Sequence, residues 1–104
     1  MTAEQLEKEF ESKAVIRGRT LWFYPLDAID FVLRCRNEGV RIIGLDAALV
    51  TESVTQPFSE QSFDFSEYDK PKQPGVIYDL AERHLRERTS SGLMFEVVIE
   101  HDQG

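Results

Sequence analysis

The spacing of apolar positions changes several times along the chain, and each change predicts an element. Leu6, Phe10 and Ala14 recur at every fourth position, which predicts a short first helix with a narrow apolar stripe. Thr2 and Gln5 stand where a capping box would start it. Glu4/Lys8 and Glu9/Lys13 are spaced to pair along its outside. Val15-Ile16 predicts a short extended piece that Gly18 breaks. Leu21-Trp22-Phe23-Tyr24 is the densest aromatic run and predicts core anchors flanking the next helix, or else an exposed hot spot. Residues 1–23 are expected to form a weakly packed lead-in, because the first stripe is so thin.

From Pro25 the period returns to that of a helix, with Ala28, Ile29, Val32, Leu33 and Cys35 as a broad apolar face. Asp27, Asp30, Arg34 and Asn37 make the solvated stripe, with Asp30/Arg34 spaced to pair. Gly39 supplies the stop. Val40-Arg41-Ile42-Ile43-Gly44-Leu45-Asp46 then reads as a strand buried on both faces. Gly44 marks the close approach of a helix, or a bulge. Asp46 is placed at the strand's end, where open α/β sheets host ligands.

Residues 51–74 form a stretch too long for a plain connection. Within it, Ser62, Asp64 and Ser66 alternate with Phe63 and Phe65, which predicts a short half-buried strand. The stretch from Glu67 to Pro74 is polar, broken twice by proline, and expected to be exposed and irregular. Pro74 or Gly75 opens a third helix to about Arg88, with Val76, Ile77, Leu80, Ala81, His84 and Leu85 on its apolar face. Asp79/Arg83 and Glu82/Arg86 are its spaced pairs. Ser90-Ser91-Gly92 turns the chain, and Leu93, Phe95, Val97 and Ile99 alternate as a final strand before a polar tail. The strand–helix–strand order of this half permits a right-handed parallel crossover, and the Ser62–Ser66 piece permits a mixed sheet. The expected fold is α+β: one compact domain over 1–104, with about three helices packed on a small mixed sheet of two to four strands. Its α/β core covers 24–100.

Composition narrows the function classes. The chain has 104 residues, one domain's worth. With 19 acidic against 12 basic residues its formal charge is −7. That sign disfavours free nucleic acid as a partner and favours a basic protein, since opposite charge speeds encounter. Cys35 is alone, so no internal disulfide forms, which suits a reducing cytosol. The polar amino terminus is unlike a signal peptide, and no apolar run approaches the ~20 residues of a membrane span. A cytoplasmic protein that binds neither membrane nor nucleic acid is expected. No catalytic, metal or phosphate motif stands in the chain, and no cofactor is expected.

From Tyr24 to about Ile99 the chain resembles a family of small immunity proteins of bacterial polymorphic toxin systems, including contact-dependent growth inhibition. The likeness is carried by Asp27-Ala28-Ile29-Asp30-Phe31 with Cys35 running into Ile42-Ile43-Gly44-Leu45-Asp46. It continues in Thr55-Gln56-Pro57 followed by Glu60, Ser62, Asp64 and Ser66, and in Leu93-Met94-Phe95-Glu96-Val97-Val98-Ile99. The middle segment is the most specific of the three. The resemblance implies a non-enzymatic role, in which the chain binds the toxic carboxy-terminal domain of a kin effector in the cytoplasm and blocks it. Many such toxins are nucleases, basic around their substrate groove, and so suit an acidic inhibitor.

On chemistry, the expected toxin contacts are the acids and aromatics of the long stretch: Glu52, Phe58, Glu60, Asp64, Glu67, Tyr68 and Asp69. Asp79, Glu82 and Glu87 form a second acidic patch. The alternative is a small ligand-binding or acid–base enzyme domain with a pocket near Asp46, Asp64 and His84, should these converge. A structural adaptor that self-associates through a sheet edge is a third class.

Overall fold

The computed structural model describes residues 1–65 and 75–101. Helix α1 spans Ala3–Phe10 and begins with the predicted capping box: Gln5 N–H donates to Thr2 Oγ1 at 3.1 Å, and Thr2 N–H to Gln5 Oε1 at 2.9 Å. After a 3₁₀ turn at Glu11–Lys13, strands β1 (Val15–Arg17) and β2 (Thr20–Trp22) form a hairpin about Gly18-Arg19. Helix α2 covers Pro25–Glu38 and stops where Gly39 adopts φ 71°. Strand β3 is Ile42–Val50, β4 is Thr55–Pro57 and β5 is Phe63–Asp64. Helix α3 is Val76–Arg86 and strand β6 is Met94–Ile99.

The fold is α+β, with three helices on a small sheet centred on β3. Strand β6 pairs along one edge of β3, and β4 and β5 pair in succession along the other. Among the described residues every pairing is antiparallel. The parallel crossover is therefore not formed: α3 and the turn at Gly92 return the chain against β3, not alongside it. One hydrogen-bonded bridge, Phe23 to Phe95 (N···O 2.8 and 2.7 Å), joins the end of β2 to the free edge of β6.

Strand alternation sorts the side chains onto two faces. Ile42, Leu45, Ala47, Phe95, Val97 and Ile99 belong to the main core, under the helices. Ile42 and Leu45 lie three residues apart yet share that face. The register shift between Ile42 and Gly44 absorbs the extra residue, Ile43. Gly44 is needed for a second reason: a Cβ there would stand 2.9 Å from the Phe63 carbonyl oxygen. The close neighbour is thus β5, a strand rather than a helix.

Three further expectations are corrected. The central strand continues past Asp46 to Val50, so Asp46 is mid-strand and not at a strand end. The amino-terminal helix is not weakly packed: Ala3, Leu6 and Phe10 enter the main core. Phe10, Phe23 and Phe31 share edge and stacked contacts at 5.1–6.3 Å. A narrow stripe suffices because Phe10 meets two aromatic partners. Several charges also pair between elements rather than along one helix: Glu9 with Arg34 at 2.9 Å, Lys13 with Asp30 at 3.9 Å, and Asp79 with Arg36 at 3.2 Å. Glu82/Arg86 pairs within α3 as spaced, at 2.6 Å. No helix among the described residues is long and apolar enough to cross a membrane.

Candidate functional site

The residues singled out for binding lie along the β4–β5 edge, and the local chemistry holds that edge in place. The turn after β3 is closed by Thr51 N–H to the Val54 carbonyl at 2.8 Å and Val54 N–H to Thr51 Oγ1 at 3.1 Å. Beyond β4, Phe58 N–H still donates to Ala47 O at 2.9 Å, and after β5 Phe65 N–H donates to Ile43 O at 2.9 Å. Between these the chain leaves the ladder in a 3₁₀ turn, Ser59–Gln61. Ser62 repairs the gap: its Oγ accepts from Ala47 N–H at 2.9 Å and donates to Phe58 O at 3.2 Å.

Helix α3 braces the same turn from the core side. His84 Nε2 lies 2.5 Å from Gln61 O, and since a carbonyl only accepts, Nε2 carries the proton. Arg88 Nε donates to Gln61 Oε1 at 2.6 Å, and Arg88 Nη1 to His84 O at 3.0 Å. Burial, opposed by the Gln61 bond and assisted by Arg88, lowers the His84 pKa from its ordinary value. His84 is a structural clasp, with its ring edge-on to Phe63 and Phe95.

Of the expected contacts, Glu52 is exposed at the β3–β4 turn, Glu60 on the 3₁₀ turn, and Asp64 on β5. Phe58 is half-buried against the main core, so it offers only part of its ring. Glu67, Tyr68 and Asp69 lie outside the described residues. Glu52 and Glu60 have no hydrogen bond or ion pair through their carboxylates among the described residues. The second acidic patch differs: Asp79, Glu82 and Glu87 each stand beside an arginine, Arg36, Arg86 and Arg88.

The alternative site converges only in part. Asp46 and Asp64 line one shallow groove of 330 Å³, together with Ile43, Gly44, Phe63 and Val98. His84 lines a different cavity, with Glu60, Ser62, Leu80 and Arg83 among its neighbours. The imidazole is bound to Gln61 and does not line the aspartates' groove.

One titratable residue gains its interest only from the fold. Glu96 sits directly across from Asp46 on β6 and is hydrogen-bonded to it. Burial, then the Asp46 charge and hydrogen bond, then Glu7, push its carboxyl up to about 7. The polar position of Glu96 in an alternating strand is visible in the sequence, but its partner depends on register. Tyr24 closes the aromatic run yet is 56% exposed, and Leu26 beside it is 65% exposed. Cys35 is fully buried, and burial followed by Glu7 pushes its thiol up to about 12, so it is an inert packing residue.

Comparison of the chain with protein-family models, with curated proteins and with solved structures finds no match.

Proposed function

We propose that the chain is an immunity protein that binds and neutralises a cognate, basic toxin domain in the cytoplasm. The resemblance of the Tyr24–Ile99 segments supports this reading, and so does the formal charge of −7. The observation that carries it is the treatment of acids in different parts of the molecule. Glu52 and Glu60 are held outward on a braced edge with no cation at their carboxylates among the described residues, whereas the helix acids Asp79, Glu82 and Glu87 stand beside arginines. Free acids on a preorganised backbone attract a basic partner without first breaking an internal pair.

The test is co-expression with the toxin domain encoded immediately upstream. Protection of the cells is expected; a domain that kills equally with and without the chain sinks the reading. Charge reversal at Glu52, Glu60 and Asp64 is expected to slow association by about tenfold at low salt with a smaller change in dissociation. A pure dissociation effect, read by stopped-flow or surface binding, argues against steering by this edge.

A further inference from the structure

Strand β1 is joined to the sheet only through β2, and its other edge pairs with nothing among the described residues. Gly18 and Arg19 alone connect Arg17 to Thr20 across the hairpin, with Gly18 at φ 62°. In so tight a hairpin the closing pair, Arg17 and Thr20, is hydrogen-bonded, and so is Val15 with Trp22 two residues along. Ile16 therefore turns its N–H and C=O away from β2. The bridge to Phe95 agrees, because Phe23 bonds away from β1 as alternation from Trp22 requires. Ile16 is 47% exposed and Val15 37%, and neither a proline nor a bulge blunts this edge. Beside it, α1 and the hairpin enclose a cleft of 310 Å³. Of its charged lining, Glu7 is taken by His101 at 2.7 Å. Glu4 and Glu11 remain against Lys8 and Arg19, and none of the four has an ion pair or side-chain hydrogen bond among the described residues. On a chain of charge −7 this is a locally balanced face.

We propose that β1 is a dimerisation edge and that its occupant is β1 of a second copy of the chain. Antiparallel addition about a twofold axis at Ile16 lets the two Ile16 residues exchange both of their free backbone hydrogen bonds. It also sets one Ile16 side chain beside the other, and Val15 opposite Arg17 of the second copy. The same operation brings the hairpin turn at Arg19 to the 3₁₀ turn Glu11–Lys13 of the second copy. Lys13 is paired with Asp30 in its own chain, whereas Glu11 is free to receive Arg19. Each dimer gains two such pairs, from charges that give up no internal partner. A surface that matches itself in this way is what a twofold contact requires. A strand from a basic partner fits less well, since Lys8 and Arg19 repel its cations. The inference goes beyond the neutralising reading. Strand β1 is reached from β3 through β6 and β2, whereas β4 and β5 flank the other edge of β3, so pairing at β1 does not consume the acidic edge.

The test is sedimentation equilibrium of the full chain at concentrations up to about 1 mM, where a dimer with a Kd on the order of 100 µM is expected, as suits a small interface. Ile16→Lys places a charge on the exposed edge and is expected to weaken dimerisation at least about tenfold while thermal unfolding stays as in the parent chain. Arg19→Glu alone is expected to weaken it about threefold or more, and Arg19→Glu with Glu11→Arg in one chain to restore it. The proposal is overturned if the chain stays monomeric over the whole range, if Ile16→Lys dimerises as the parent does, or if the charge swap fails to restore association. A monomer whose Ile16→Lys variant loses binding to the toxin domain overturns it in favour of a strand from that partner. The two readings fail separately. A monomer that protects cells removes the dimer alone, and a dimer without protection removes neutralisation alone.

Discussion

The two ends of the outer sheet face use the same strands and reach opposite outcomes. At one end, Ala48, Met94 and Val50 are covered by Trp22, which is only 8% exposed. The guanidinium of Arg17 donates to the Thr51 carbonyl and ties the β1–β2 hairpin to that end of β3. Two residues along the same strands and on the same face, Asp46 and Glu96 stand where Ala48 and Met94 would continue the cluster. There the hairpin's aromatic gives way to an open groove. The two ends share strands β3 and β6 but differ in residue type: small and apolar side chains accept a cover, whereas carboxylates would be desolvated beneath one.

Removing the cover is the largest perturbation. Trp22→Ala is expected to cost about 3–5 kcal/mol, the usual cost of deleting a large buried aromatic, and urea unfolding measures it. The Trp22 Nε1–H is buried with no acceptor among the described residues. Trp22→Phe is therefore expected to cost much less than Trp22→Ala, since it also removes a stranded donor. Equal losses in the two variants would show that a smaller ring cannot close this end.

Next come two changes at the open end's frame. Ser62→Ala strands the Ala47 N–H that Ser62 Oγ satisfies at 2.9 Å, with an expected cost of about 1–3 kcal/mol. Gly44→Ala sets a Cβ 2.9 Å from the Phe63 carbonyl oxygen, a backbone atom, and is expected to cost about 1–3 kcal/mol as β5 shifts. Gly75→Ala is the control, because a Cβ there meets nothing within 4 Å. If Gly44→Ala is as mild as the control, β5 is free to move away and the groove is not rigidly framed.

The smallest effect depends on pH. Glu96 is pushed from an ordinary 4.5 up to about 7. Its contribution to stability is therefore fully present below 4.5 and is lost as pH rises toward 7. Glu96→Gln is expected to be near neutral at the acidic limit and to stabilise the fold by on the order of 1 kcal/mol above neutrality, as thermal unfolding at the two pH values would show. His84 acts in the opposite sense. Its pKa is lowered from 6.5, so its contribution is present above 6.5 and falls as the solution is acidified. The two slopes oppose one another, so Glu96→Gln isolates the Glu96 part; a variant without a gain at high pH would show that burial beside Asp46 does not hold that carboxyl up.

Local signals were reliable wherever one turn of chain decides the outcome. Pro25 and Gly39 bracket α2 because a proline suits a first turn and a left-handed residue ends one. The Thr2/Gln5 box and the turn at Gly92, with φ 77°, are of the same kind. The alternation from Leu93 to Ile99 marks β6 with its inward face correctly assigned. The long stretch after Val50 was harder to read. The alternation about Phe63 and Phe65 marks β5, but β4 is three residues long, too short for a period to show. They exist as strands because β3 offers an edge and Ser62 mends the break.

By itself, therefore, the sequence determined the α+β class, the inward faces of α3 and β6 and an acidic surface, since these follow from short-range spacing and composition; β3, read as buried on both faces, is exposed on its outer face at Asp46. Tertiary structure alone decided that Asp46 faces Glu96, that Asp64 lies beside the hollow at Gly44, and that His84 turns to Gln61. Each of these is a matter of strand register or helix docking between residues far apart in the chain. A shift of one residue in register would send Asp46 to the core face and Leu45 to the outside.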